Sequence, residues 1–383
     1  MKKEPYITRL DIELTERCNN NCIHCYINLP DDDLCAKKKE LSTDKIKEIL
    51  KEAVSLDCMT IRFTGGEPLL REDFEELYVF TRKQGLKVLI FTNATLINKR
   101  LAELFSRIPP LEKIEVTVYG INKNSYEAVT GKKGSFKAAE KGIKLLLKNK
   151  IPFVVKSAVL PPNKNETDKF EKWAMAIPDM DRLPSKSMFF DLRCRRDNEI
   201  KNRFIKKLRI TPEEGIGILT REKDKYIKEM KEFCSKFTRP PGDDLFSCGA
   251  GFSGCADAYG YFLPCIMLKC PDTAYDLKNG TLEDAIVNFF PKIRAMRAKN
   301  KDYLKRCAKC FLKSLCEQCP AKSWMEHGTL DTPVEYFCEI AHAQAKFLGL
   351  VKPHEKAWEV TDWKERLRNF SRNVIPAEAG IQT

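Results

Sequence analysis

Along the first half of the chain, short apolar runs alternate with stretches whose apolar residues return every three or four positions. The runs at 7–14, 59–64, 87–92, 113–119, 153–160 and 188–193 predict β-strands. Between them, 43–56, 72–84, 96–106, 136–147 and 166–176 predict amphipathic helices. Alternation of this kind, with short connections, predicts a parallel sheet with right-handed crossovers. Six strands are too few to close an eight-stranded barrel. The expected fold class is therefore α/β, an open partial (β/α)6 barrel over residues 1–195, with its chemistry at the C-terminal ends of the strands.

Beyond that barrel the pattern changes twice. Residues 196–233 are charged and predict a helical bridge, with Thr211 as a cap ahead of Pro212. From 234 to 349 the chain is rich in cysteine, punctuated by Gly and Pro, and weakly periodic, so metal is expected to hold it together. Residues 350–383 form a C-terminal extension whose last stretch carries few core-forming residues and is expected to be a loose tail.

The 383 residues suffice for one large domain and a smaller one. No run approaches the roughly 18 apolar residues that a membrane helix needs. No apolar segment follows the N-terminal lysines, so the cytoplasm is the expected location. The first strand is expected to start by about Tyr6, which leaves no room ahead of it for a peptide-recognition domain. The formal charge of +13 fits a solvated basic surface or an acidic partner. Because the lysines are spread out and form no basic stripe with aromatics, neither nucleic acid nor membrane is expected as a partner.

Cysteine usage changes the picture most, with 16 in the chain. Cys18, Cys22 and Cys25 sit in "TERCNNNCIHCY", directly after the first strand. Three thiolates can hold three irons of a 4Fe-4S cube and leave the fourth open, as a catalytic site requires. The alternative at this loop is zinc, with His24 or Cys35 as fourth ligand. After the second strand comes "FTGGEPLLRED". There Gly65 and Gly66 would let a ligand approach the backbone, and the Glu67 carboxylate could accept from an ammonium group.

Cysteine loop and GGEP turn, in this order, resemble the radical S-adenosylmethionine (SAM) superfamily over the first ~190 residues. The resemblance implies that Cys18, Cys22 and Cys25 bind the cluster and that SAM chelates its open iron. Electron transfer then cleaves SAM, giving a 5′-deoxyadenosyl radical that takes hydrogen from a substrate. It further implies SAM contacts from Gly65, Gly66 and Glu67, from Asn93 in "FTNAT", Thr117 in "EVTVYG" and Lys156 in "VVKSAVL". A reductant such as flavodoxin or ferredoxin would supply the electron.

The C-terminal block, "CGAGFSGCADAYGYFLPC", then "CAKCFLKSLCEQC", then Cys338, resembles the SPASM extension, which carries auxiliary 4Fe-4S clusters. On that resemblance Cys307, Cys310, Cys316 and Cys338 hold one cluster. Cys248, Cys265 and Cys319 hold another, with Cys255 or Cys234 as its fourth ligand or an iron left open. The interval before Cys319 holds two residues, Glu317 and Gln318, where the family usually has three. Cys35, Cys58, Cys194 and Cys270 read as structural, Tyr26 as packing against the cluster loop, and the histidines show no pair at ligand spacing. Asp191, Arg193, Arg195 and Arg196 would line the barrel mouth or form a solvated rim. The stretch from Val118 to Leu147 resembles a SPASM subgroup associated with peptide maturation, so the expected substrate is a peptide or protein. Two rival readings are an anaerobic sulfatase-maturating type, against which Ile266 stands where that family has an aspartate, and a non-catalytic iron-sulfur or zinc-binding protein.

Overall fold

The structure is a computed structural model that describes residues 7–25, 27, 29–188 and 199–371. The chain packs as two compact units, one of residues up to 209 with 246–295, the other of 210–245 with 296 onward. The cysteine-dense stretch expected as one block at 234–349 therefore contributes to both.

In the first unit, six parallel strands follow one another in chain order: β1 (Arg9–Thr15), β2 (Thr60–Gly65), β3 (Lys87–Thr92), β4 (Ile114–Thr117), β5 (Phe153–Ala158) and β6 (Lys186–Ser187). The sheet runs on past β1 with three short strands, β7 (Gly254–Ala256), β8 (Tyr261–Leu263) and β9 (Tyr275–Asp276). β7 pairs parallel to β1, placing Cys255 opposite Asp11, while β8 and β9 are antiparallel. Phe262, Leu277, Leu282 and Phe290 are buried in this extension, giving the stretch apolar packing of its own. The sixth strand was expected at 188–193 and is described two residues earlier. Residues 189–198, with Asp191, Arg193, Cys194, Arg195 and Arg196, lie outside the described residues, as does Tyr26.

A parallel sheet covered by apolar layers on both faces is built from near-continuous apolar strands. Here the strands alternate. Leu10, Ile12, Ile61, Phe63, Val88 and Ile90 have no or almost no exposed surface and form one face. The opposite face carries Asp11, Arg62, Glu115, Thr117 and Lys156. Register sets Asp11 beside Arg62 and Thr117 beside Lys156. Asp11 and Arg62 form an ion pair, and Lys156 Nζ lies 3.0 Å from Glu115. One face of the sheet thus serves the core while the other presents charge.

The helices flanking β1 to β6 in this unit include α1 (Thr43–Ser55), α2 (Phe74–Lys83), α3 (Lys99–Arg107), α4 (Lys123–Thr130), α5 (Ser135–Lys148) and α6 (Thr167–Met175). Ser42, Asn98 and Asn122 cap α1, α3 and α4 through side-chain oxygens. α4 lies in a stretch whose period did not mark it. α5 docks through Gly142, where a Cβ would stand 2.0 Å from the Ala94 carbonyl oxygen. That carbonyl belongs to the loop following β3, which carries Asn93.

The second unit is mainly helical: α7 (Pro212–Leu219), α8 (Lys223–Phe237), α9 (Pro320–His327), α10 (Glu335–Phe347) and α11 (Trp363–Ser371). Thr211 caps α7 by accepting from the Glu214 amide, as its place before Pro212 implied. Tyr226, Phe311, Leu312, Ala345, Leu350 and Leu367 meet in an apolar core of this unit's own. Cys234 and Cys310 are part of that core. No helix among the described residues is long and apolar enough to cross a membrane.

Replacing Gly142 by alanine tests the docking of α5. Glycine to alanine inside a helix ordinarily stabilises by about 0.5–1 kcal/mol. Here the added methyl meets a backbone oxygen, so Gly142→Ala should lower the thermal midpoint; an increase would show that the loop after β3 yields freely.

Candidate functional site

β1 ends in the loop that carries Cys18, Cys22 and Cys25. Its backbone is held from three sides. The Gly66 amide donates to the Thr15 carbonyl at 2.7 Å, and the Glu67 amide to the Arg17 carbonyl at 2.9 Å. The amides of Asn21 and Ile23 donate to the carbonyls of Thr130 and Val129 at the end of α4, each at 2.9 Å. The third hold is ionic: Arg17, itself buried, donates to Glu40 at 2.8 Å and to the Asp31 carbonyl at 2.9 Å.

The glycines of the GGEP turn are explained by this packing. A Cβ on Gly65 would lie 2.2 Å from the Thr15 oxygen, and one on Gly66 would lie 2.1 Å from the Arg17 oxygen. Gly65 also adopts φ +119°, where side chains are strained. The close approach that the sequence assigned to a ligand is made by the cysteine loop itself.

Glu67 is fully buried and engages both carboxylate oxygens. It accepts from the Leu69 amide at 3.1 Å, the Thr92 hydroxyl at 2.8 Å and the Asn93 amide at 2.8 Å. Burial pushes its carboxyl up to about 7 against the pull of these donors. The side chain therefore ties the end of β2 to the end of β3 and fixes Asn93. The Asn93 side-chain nitrogen Nδ2 donates to Asn19 Oδ1 at 3.0 Å and toward the Cys18 sulfur at 3.8 Å.

The three thiols sit close enough to influence one another. Burial above all, then nearby Glu67, pushes Cys18 up to about 12, although the Asn20 amide donates to its sulfur at 3.5 Å. Burial and then the charges of Cys25 and Cys18 hold Cys22 well above the ordinary thiol range, against a hydrogen bond from Tyr119. Two desolvated sulfurs, of Cys18 and Cys22, already receive N–H and O–H donors beside the half-buried Cys25, which fits a cationic group bound through thiolates that would offset the cost of burial. Tyr119 was not singled out from the sequence. Its signal lay two residues past Thr117, at the end of the same strand. Among the described residues, no three His, Cys, Asp or Glu side chains close on a single metal ion. His24 packs edge-on against Tyr119 at 5.1 Å, and Cys35 is exposed.

Thr117 and Lys156 lie side by side at the C-terminal ends of β4 and β5, at the same end of the sheet as the cysteine loop. Lys156 Nζ sits 3.0 Å from the Phe91 ring centre, whose ring also has the Arg62 guanidinium 4.7 Å away. Lys269 was likewise missed. It donates to Glu13 at 2.6 Å and Glu16 at 3.0 Å, and the Tyr259 hydroxyl donates to Glu16 at 2.9 Å. Burial opposes the Lys269 charge, but the adjacent Glu13 carboxylate more than compensates and its pKa is raised.

Cys248 is exposed and Cys265 half-buried in the first unit, whereas Cys319 precedes α9 in the second. Cys255 is fully buried in β7. In the second unit, Cys307, Cys310, Cys316 and Cys338 line one cavity with Tyr303, Arg306, Gln318, His342 and Trp358. Burial pushes Cys307 up to about 11 and Cys310 to about 12, and raises Cys316 and Cys338 as well.

The model of the Radical SAM superfamily, a superfamily of enzymes, matches residues 12–174, so this part of the chain is a radical SAM domain. The superfamily implies a 4Fe-4S cluster and SAM. Among curated relatives, the chain is 35% identical over 130 residues to the Fe-coproporphyrin III synthase of Methanosarcina barkeri, covering 34% of this chain and 31% of that protein. It is 31% identical over 137 residues to the antilisterial bacteriocin subtilosin biosynthesis protein AlbA of Bacillus subtilis, covering 35% of this chain and 29% of AlbA. The chain thus spans about a third of each. The solved structure of native anSMEcpe with bound AdoMet superposes with a TM-score of 0.61 at 15% identity, over 96% of this chain and 100% of that one, a likeness of fold.

Two substitutions probe the supports. Gly66→Ala should disrupt the cysteine loop and sharply reduce the iron bound there, read by metal analysis. Lys269→Met leaves Glu13 and Glu16 buried without their cation and should cost about 3–5 kcal/mol in unfolding free energy; a neutral effect would show that the network does not support the fold.

Proposed function

We propose that Cys18, Cys22 and Cys25 hold a 4Fe-4S cluster to which SAM binds, and that the enzyme modifies a peptide or protein substrate. The observation that carries the first part is the burial of the Cys18 and Cys22 thiols, with Cys25 half-buried beside them, in a loop stitched to the glycine turn. When bound, cluster and SAM supply reductive cleavage of SAM and abstraction of a substrate hydrogen. The chain's own part is positional. Tyr119 and Asn93 donate toward the sulfurs of Cys22 and Cys18, Glu67 fixes Asn93, and the Arg17–Glu40 pair holds the loop. Thr117 and Lys156, at neighbouring strand ends, offer a hydroxyl and an ammonium for the polar groups of SAM.

Cys307, Cys310, Cys316 and Cys338, gathered around one cavity, are proposed to hold an auxiliary 4Fe-4S cluster in a SPASM-type domain. This cysteine set, with the relative AlbA named for bacteriocin biosynthesis, favours a peptide substrate. The Fe-coproporphyrin III synthase relative favours a small-molecule substrate instead.

Iron counting separates the sites. Changing Cys18, Cys22 and Cys25 to alanine should remove about four irons per chain after anaerobic reconstitution, and changing the four cavity cysteines should remove another four or so. Zinc in place of iron would refute both assignments. The substrate class is read by deuterium transfer. A short peptide encoded beside this gene, deuterated throughout, should yield deuterated 5′-deoxyadenosine. Transfer from a porphyrin and none from such peptides would establish the second reading. Peptide affinity should also fall as salt rises from 50 to 500 mM if the net charge of +13 steers an acidic segment.

A further inference from the structure

One cavity cysteine differs from the others in what surrounds its sulfur. Cys338 lies in the first turn of α10, and His342 follows it by four residues on the same helix face. The His342 Nδ1 atom stands 2.8 Å from the Cys338 carbonyl oxygen and 3.6 Å from its sulfur. Nε2 faces a donor, accepting the Ala357 amide at 3.1 Å. That contact leaves the ring proton on Nδ1, which donates to the Cys338 carbonyl and, more distantly, faces the Cys338 sulfur. With Nε2 accepting and a single proton on Nδ1, the imidazole is neutral.

A second donor comes from Arg306. Its Nη2 atom lies 3.7 Å from the Cys338 sulfur. The guanidinium is fixed in place by a two-pronged bond to Glu335, at 2.7 and 2.8 Å, and by the Trp358 ring 4.8 Å away. Its Nε is buried without a hydrogen-bond partner, so one further donor remains in the cavity wall. Arg306, Cys338, His342 and Trp358 also border an open groove of about 900 Å³. This side of the cavity is therefore the one that faces an opening.

We infer that Arg306 and His342 are positioning residues that raise the reduction potential of the cluster held by Cys307, Cys310, Cys316 and Cys338. The inference rests on the auxiliary-cluster reading. Reduction adds one electron from an external reductant and increases the negative charge shared with the ligand sulfurs. N–H donors aimed at a sulfur stabilise that reduced form more than the oxidised one. The clamped guanidinium supplies such a donor directly, and the fixed imidazole N–H, shared between the Cys338 carbonyl and its sulfur, supplies a weaker one, neither giving up a proton.

The test is a dithionite titration followed by electron paramagnetic resonance. It uses the full chain with Cys18, Cys22 and Cys25 changed to alanine, so that the SAM-site signal is absent. Arg306→Gln and His342→Gln should each make the cluster roughly tenfold harder to reduce, a fall of ~59 mV for a one-electron couple, with iron content unchanged. Arg306→Lys, which keeps the charge, should recover part of the loss. An unchanged potential with the cluster in place overturns the inference. Absence of iron at these cysteines in the parent overturns the cluster reading as well. A further measurement needs no substitution at either residue: spin-echo modulation from nitrogen should appear on the reduced cluster and change when histidine or arginine is labelled with nitrogen-15. A cluster without that modulation overturns the proposal even if both variants fail to load iron.

Discussion

The site depends on a backbone-to-backbone contact. Two consecutive amides, of Gly66 and Glu67, donate to two carbonyls, of Thr15 and Arg17, and thereby lay the turn after β2 against the cysteine loop after β1. The strands approach so closely that neither Gly65 nor Gly66 has room for a Cβ. From this contact the rest follows outward. Glu67 carries the tie on to β3 and orients Asn93, which reaches Cys18. Lys269 braces the loop from beyond the other side of β1 through Glu13 and Glu16.

The same region concentrates unfavourable burial. The thiols of Cys18 and Cys22, with Glu67 and Glu13, are withdrawn from water, and desolvation raises the pKa of all four. A protein core gains nothing from such groups, since apolar residues of similar volume pack at least as well. Gathered at one end of a sheet whose opposite face is built mainly of apolar residues, they are groups whose presence folding alone does not explain.

Much of this was legible in the sequence because it is local. The strands β1 to β5 and helices such as α1, α5 and α6 follow from runs and periods within a dozen residues. The cysteine spacing and the GGEP turn are likewise contiguous. What the sequence hid is non-local or short. β7 holds three residues and finds its partner β1 more than two hundred positions away, so no pattern marks it. Cys255, a candidate ligand from its spacing, is a strand residue opposite Asp11 for that reason. The glycines were recognised as places of close approach, but only the fold shows that the approaching group is the neighbouring loop. His342 has no histidine partner at ligand spacing, so a pattern of paired histidines does not mark it. Its signal was a Cys-x3-His spacing on a helix, which puts thiol and imidazole on one face.

The central claim is that Cys18, Cys22 and Cys25 create a site where SAM is reductively cleaved. Its most direct test is incubation of the reconstituted protein with SAM and dithionite under strictly anaerobic conditions, followed by mass spectrometry of the products. The account predicts 5′-deoxyadenosine and methionine in equal amounts from the native chain, and neither above background when Cys18 alone is changed to alanine. Undiminished cleavage by that variant, or an iron-loaded native protein that leaves SAM intact, would contradict it.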